Sequence, residues 1–554
     1  MKLLNLLILI SIICGDISSS KAVNKSIQVK KPKDNGLSIQ IENIRKRELG
    51  NFGNIIENEV VVGYYMFKKN ENIGGGKATF QIEIFDENLK SKKTFKLEKA
   101  KKALLVEMCY NGQAFLIIMT NKKGIDLITY DKEGKKLGEK NIIKESLRMP
   151  SSLQSEQSGI STTIYPIGEN GFYRQSFVKN KKLGFTVEAF SNTLKPYWKY
   201  NSVDTSKEIE AVDILYASKN YLALLHTHKK TLYTKEINND FLFLDGSNGK
   251  KMFSLPMKEI SNLSVQGCYV NEEKKEVILN GEYFAKGDKI YYSKSEGLYL
   301  MKLNLNGEEL KMEKLNWKKD LVSLTTTDVE KGKSKENMRF YIHKVFNDSL
   351  GNTYIIAEQY KYIISALGVV SKLNRIGDRK LIDLRQNKNP SEFSIKIYNI
   401  VCLVLDKDFI VKEEVVIKKK FSEFHIPEYA RNYSPTELAH YIKVNNNFDY
   451  QFTTINKSKT EFTAFYIDLN RIGEDNVIGT ISLSGGVVEN KRTPFTFNTE
   501  FSTANFFYLN ERTPFTFNTE LSNVILKSAK QGYILIGEFW PIKKQLNLRL
   551  EAIN

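Results

Sequence analysis

The sequence predicts an all-β protein. The expected fold is a β-propeller of about eight four-stranded blades, with seven the alternative, closed by an amino-terminal strand and carrying one short inserted helix. Three observations predict it. Residues 103–143 read as four strands joined by Asn111-Gly112, Asn121-Lys122-Lys123-Gly124 and Asp131-Lys132-Glu133-Gly134, with hydrophobicity falling from the first strand to the last. Two inner strands covered on both faces and a wetted outer edge produce that gradient. The same plan recurs along the chain. Finally, the last unit lacks an outer strand, while residues 37–41 near the amino end alternate as a strand with no partner of their own.

In order, residues 59–67, 78–85 and 94–98 supply the strands of a first blade, and 103–143 form the second. A third occupies 160–200, a fourth 209–257 and a fifth 263–315. The sixth spans 338–418 and the seventh 449–498. The last unit comprises 524–527, 532–540 and 545–553, and pairing it with 37–41 would leave the ring without open sheet edges. The helix is expected over 434–444, where Ser434 can cap, Pro435 suits the first turn and Glu437 completes a capping box. The nonapeptide RTPFTFNTE occurs twice, at 492–500 and 512–520. Pro494 restricts its strand to a sheet edge, and one copy is expected to add an outer strand or hairpin.

The 554 residues carry a net charge of +18, with 41% hydrophobic and 11% aromatic residues. Lysine dominates the positive charge and is scattered over turns and edge strands, where it discourages pairing with other chains. A nucleic-acid binder would focus that charge on one face, so no nucleic-acid partner is expected. Residues 1–20 read as an export signal: Lys2, an apolar run over 3–13, then Ser18-Ser19-Ser20. Cys14 offers a lipoprotein alternative, which bulky Ile13 before it disfavours. Residues 21–36 read as a flexible lead-in and 37–554 as one propeller domain with insertions at 361–394 and 419–448. No later run is long enough for a transmembrane helix. The chain is therefore expected to be periplasmic or extracellular, and a monomer. Cys109, Cys268 and Cys402 then remain, each in a strand-like run, and buried thiols are expected rather than a disulfide framework.

Gly63-Tyr64-Tyr65-Met66-Phe67, Phe85-Asp86-Glu87-Asn88-Leu89, Leu405-Asp406-Lys407-Asp408-Phe409 and the ending around Gly532–Phe539 and Leu548–Glu551 together resemble an uncharacterised family of exported propeller-like proteins, a domain of unknown function, from Bacteroidota. The resemblance covers nearly the whole mature chain and implies fold and context, with no active site. The duplicated nonapeptide departs from the family pattern.

Motifs that would carry chemistry fail on spacing. Gly74-Gly75-Gly76-Lys77 has Glu71 where a phosphate loop needs its first glycine, and no helix follows. The Asp-Gly turns at 131–134 and 245–249 lack calcium-loop spacing. His226 and His228 project to one strand face but show no third metal ligand in sequence, and they read as solvated. Residues 244–253 faintly resemble quinoprotein blades, but three tryptophans are too few to support that link. Neither metal nor cofactor is expected. The recurrent feature is a glutamate closing a second strand: Glu282 in NGEYF, Glu358 in IAEQY and Glu538 in IGEFW. Lone burial of such a charge is costly, so each is expected to bond backbone or lysine at a blade junction; paired carboxylates for acid–base chemistry are the alternative.

The leading expectation is an exported, non-catalytic propeller that binds a protein or glycan at the cell envelope through its long-loop face. Candidate contact residues are Tyr362, Ile363, Ile364 and Leu367 in one insertion, and Tyr429 and Tyr433 in the other. The first of these insertions could equally pack over the channel mouth as a plug. The alternatives are a glycan-active hydrolase or lyase using Glu282, Glu358 and Glu538, and a purely structural envelope protein.

Overall fold

The computed structural model describes residues 37–552, apart from short gaps and longer stretches at 144–162, 325–338, 365–389, 428–437 and 496–516. The expected signal, the lead-in and Cys14 lie outside the described residues. Eight antiparallel sheets follow one another along the chain, at 49–100, 105–143, 164–201, 209–256, 267–316, 339–417, 450–495 and 523–552. They are blades 1 to 8 of a β-propeller. In each, strand order follows sequence order, so every blade is a meander running from an inner to an outer strand. The first strands of blades 1 and 2, 2 and 3, 4 and 5, 5 and 6, 7 and 8, and 8 and 1 lie against one another, which closes the ring.

Closure uses the orphan strand. Ser38–Ile41 pairs antiparallel with Gln545–Ala552, in the register Ser38 to Arg549 and Ile41 to Leu546, and becomes the outer strand of blade 8. Leu37, Ile39 and Ile41 pack on a core shared by blades 8 and 1 that includes Ile44, Phe52, Tyr64 and Phe539.

One apolar cluster fills each of the eight blade junctions. The second strand of blade 2 shows why its sequence is apolar throughout. Ala114, Leu116 and Ile118 face blade 3, while Phe115, Ile117 and Met119 face blade 1. Strict alternation of polar and apolar residues is therefore absent where both faces are covered, and it reappears only on outer strands such as Ser91–Ala100.

In blades 1, 2, 3, 5 and 6 the turns between third and fourth strands share one chemistry. An Asp, Asn or Ser at the first position accepts the backbone N–H four residues on, and in all but blade 2 the one two residues on as well, as Asp86 does from Asn88 and Lys90 (both 2.9 Å) and Asp406 from Asp408 (2.8 Å) and Ile410 (2.9 Å). The fourth position has positive φ. Gly134 and Gly307 fill it in two blades, but Leu89 (φ 64°), Leu194 (φ 61°) and Phe409 (φ 62°) fill it in three others. The strain is offset by packing, since all three side chains are buried in a blade junction.

Some expectations need correction. Blade 1 begins with Leu49–Glu57, an inner strand whose mixed composition hid it, so the strand expected at 59–67 is the second. Val60–Ile73 and Lys77–Asp86 also run beyond the strands expected at 59–67 and 78–85, continuing as a hairpin to Gly74-Gly75-Gly76. Of the helix expected at 434–444, Leu438, Ala439, Ile442 and Lys443 are described and helical; the rest lies outside the described residues. The first nonapeptide copy enters the outer strand of blade 7, Val487–Phe495, with Pro494 at its edge as expected. Of the second copy, Phe517–Asn518 pairs with the first strand of blade 8. Among the described residues no helix is long and apolar enough to cross a membrane.

Candidate functional site

Blade 6 departs from the common plan. Its second and third strands, Thr353–Ile364 and Pro390–Leu405, run past the sheet as a long hairpin. An added strand, Ser422–Pro427, pairs with the outer half of the third, with Ile395 opposite Phe424. The hairpin extension and the link to blade 7 lie on the same face of the ring, because successive strands are antiparallel. There they build a small core of their own: Tyr360, Ile395, Ile397, Ile426, Leu438, Ala439, Ile442 and Phe448. Leu438, Ala439 and Ile442 share one helical face, which is the one buried. Tyr341 on the inner strand Arg339–Asn347 packs against this core and stacks on Phe448 at 4.9 Å. The extension therefore packs back against the inner strand of blade 6.

Beneath it lies a buried polar network. Glu358 and His343 are fully buried, with His343 Nε2 2.9 Å from the Glu358 carboxylate. Glu358 also accepts the backbone N–H of Tyr450 (3.1 Å) and faces the Lys419 ammonium at 3.3 Å. Lys419 pairs with Asp449 as well, and Asp449 accepts the Ser422 hydroxyl at 3.0 Å. Burial alone would lower Lys419, but the Asp449 and Glu358 charges outweigh it and hold its basicity above the ordinary value. Burial raises the Asp449 carboxyl, against the pull of Lys419. Burial, reinforced by Lys443 and Lys419, holds His343 neutral, well below its ordinary value. Its Nε2–H then donates to Glu358, leaving Nδ1 to accept from the Lys443 ammonium at 3.3 Å. Six side chains thus tie blade 6, its outgoing link and the helical residues into one unit.

The three second-strand glutamates occupy corresponding places in blades 5, 6 and 8, and each has its own partners. Glu282, fully buried, accepts from Ser295 (2.6 Å) and Gln266 (3.3 Å), and burial raises its carboxyl. Glu538, also fully buried, pairs with Arg549 at 2.5 Å. The structure does not bring the three together.

Of the candidate contact residues, Tyr362, Ile363 and Ile364 are on the extended second strand, the first two half-buried. Leu367, Tyr429 and Tyr433 lie outside the described residues.

The histidines of blade 4 are not simply solvated. His226 and His228 stack at 5.4 Å, with Asp240 3.7 and 3.6 Å away, Glu210 3.4 Å from His226 and Glu208 2.5 Å from His228. Bonds to Asp240 and Glu208 raise His228 to about 9, while burial lowers His226. Asp240 was legible as a partner only through register, since it stands directly opposite His226. Among the described residues no group of three or more His, Cys, Asp or Glu side chains is arranged to hold a metal ion. Cys109, Cys268 and Cys402 are all free; Cys402 is buried, the other two only partly so.

No curated protein matches the chain. Solved structures with similar coordinates include the quinohemoprotein alcohol dehydrogenase ADHIIG of Pseudomonas putida HK5, at 8% identity and TM-score 0.39 over 93% of this chain and 78% of that one. Prolyl oligopeptidase B of Galerina marginata matches at 10% identity and TM-score 0.38, over 90% of this chain and 56% of that one. The WD40 domain of SCAP from fission yeast matches at 6% and 0.36, over 93% and 94%. At such scores none of the three carries an argument about function. A family model does match, over residues 23–492, and by that match the chain belongs to a family of unknown function, DUF6770.

Proposed function

We propose that this protein is an exported, non-catalytic β-propeller that captures a protein or glycan partner at the cell envelope through its long-loop face. The observation that carries the reading is the extension of blade 6. It has its own apolar core and a buried network anchoring it to the ring, on the face where the longer connections gather. Binding residues concentrate on segments held by a rigid scaffold, and this extension is such a segment. The separation of Glu282, Glu358 and Glu538 into private bonding arrangements supports the non-catalytic reading, since glycosidase carboxylates need to flank one bond, about 5–10 Å apart.

The test is to replace residues 365–389 with a short Gly-Ser turn, which spares the paired strands on either side. Wild type and variant are then compared in crosslinking pull-downs from envelope extract, with the captured species identified. Loss of capture by a variant with unchanged melting supports the proposal. Equal capture by a well-folded variant refutes it.

A further inference from the structure

The outer strand of blade 7 holds the first copy of a repeat whose second copy stands 20 residues further on. Val487–Phe495 pairs with the third strand, Asn476–Ser484, in the register Gly479 to Arg492 and Val477 to Pro494. Side chains hold that register. Asn490 accepts the Tyr466 hydroxyl at 3.0 Å, Arg492 pairs with the buried Asp468, and Pro494 stands at the free edge. The sequence supplies each of them again at the same spacing, as Asn510, Arg512 and Pro514. Identity thus begins before RTPFTFNTE, at Asn490 and Asn510, and Ser502 and Ser522 match after it. The connections also suit a second arrangement. Two residues join the third and fourth strands, and 27 lie between Phe495 and Asn523, where blade 8 begins. With 507–515 as the outer strand, seven residues would precede Asn523, the number that joins blade 3 to blade 4 between Asn201 and Ile209. What the link loses the turn gains, and closure entropy varies slowly with length. The exchange gives up the pairing of Phe517–Asn518 with blade 8, and it sets Tyr508 where Val488 packs on the junction of blades 6 and 7.

We propose that the two copies compete for the outer strand of blade 7, so that the blade has two conformers related by a 20-residue strand exchange. Links between blades and third-to-fourth turns lie on opposite faces of the ring, because successive strands are antiparallel. The exchange therefore carries 20 residues from one face to the other. Alternate pairings persist where two segments present the same side chains to one partner strand. A ligand that holds the transferred segment on one face selects that conformer. The device is separate from partner capture by the blade 6 extension, and neither proposal depends on the other.

Hydrogen exchange read by mass spectrometry on the full chain tests it, because 487–491 (VVENK) and 507–511 (FYLNE) give different peptides. Arg492→Glu sets a carboxylate against buried Asp468 and so disables the first copy alone. Protection over 507–511 should then rise about tenfold or more while that over 487–491 falls, with 476–484 still protected. Adding Arg512→Glu should abolish the gain. A folded Arg492→Glu protein with no gain over 507–511, or a gain that survives Arg512→Glu, overturns the proposal. Should Arg492→Glu fail to fold, deletion of 492–511 decides, since it leaves the second copy without a competitor and a seven-residue link to blade 8. A folded ring with 476–484 protected supports the exchange, and an unfolded or unprotected blade 7 overturns it.

Discussion

Lys419→Met removes the cation at the centre of the blade 6 network while keeping the length of the side chain. In the native protein its ammonium lies 3.3 Å from Glu358 and pairs with Asp449, and the Lys419 and Glu358 side chains are fully buried. At an effective dielectric of about 20, one such pair at that distance amounts to roughly 5 kcal/mol before desolvation is counted. The variant leaves two carboxylates enclosed without their cation, a change that typically costs about 3–5 kcal/mol. The cost depends on pH. Asp449 has a carboxyl raised above its unfolded value, so its contribution is present in acid and lost as pH rises through the raised value. Without Lys419 the Asp449 carboxyl rises further, and the penalty grows with pH. His343 works in the opposite sense: it is held neutral, and it costs stability as pH falls below its unfolded value. Because it does so in both proteins, the comparison is made between variant and wild type at each pH. Urea unfolding at pH 5 and pH 8, followed by far-ultraviolet circular dichroism, should show a loss of about 3–5 kcal/mol at pH 8 and clearly less at pH 5. The double variant Lys419→Met, Asp449→Asn should recover part of the loss. A loss under about 1 kcal/mol at pH 8, or one independent of pH, would refute the reasoning.

Other predictions rest on separate features. Deleting residues 37–44 removes the outer strand of blade 8 and the buried Ile44; apolar burial alone puts the cost on the order of 5 kcal/mol, and fast hydrogen exchange over 545–552 should accompany a lower melting temperature. Normal protection there would contradict strand closure. Gly307 has φ 84°, and a Cβ on it would come 2.7 Å from the Phe253 ring. Gly307→Val should therefore destabilise by about 1–3 kcal/mol, whereas a neutral result would show that the turn relaxes freely. Burial pushes the thiols of Cys109 and Cys402 up to about 12 and raises Cys268 as well. Iodoacetamide at pH 8 should leave all three unmodified until urea is added, and rapid native labelling of Cys402 would count against its burial.

Much of the architecture was legible in sequence because a blade is a local object. Its strands are mostly consecutive, most of its turns are short, and a turn led by Asp, Asn or Ser with positive φ at its fourth position recurs in several blades, as in FDENL and LDKDF. Strands buried on both faces read as continuous apolar runs, as Ala114–Thr120 does, and even the missing outer strand announced itself by composition. What sequence concealed was everything set by contact between distant residues. Lys419 looked like one lysine among many, His343 stood alone, and Asp449 opened an ordinary strand. Their partnership with Glu358 depends on blade 6 meeting both its own outgoing link and blade 7, positions up to 92 residues apart. Hydrophobic periodicity determined the blades, since it acts between near neighbours along a strand. Only the closed ring decided which charges share a buried space, because burial and mutual distance, not residue type, set the energy of a charge inside a protein.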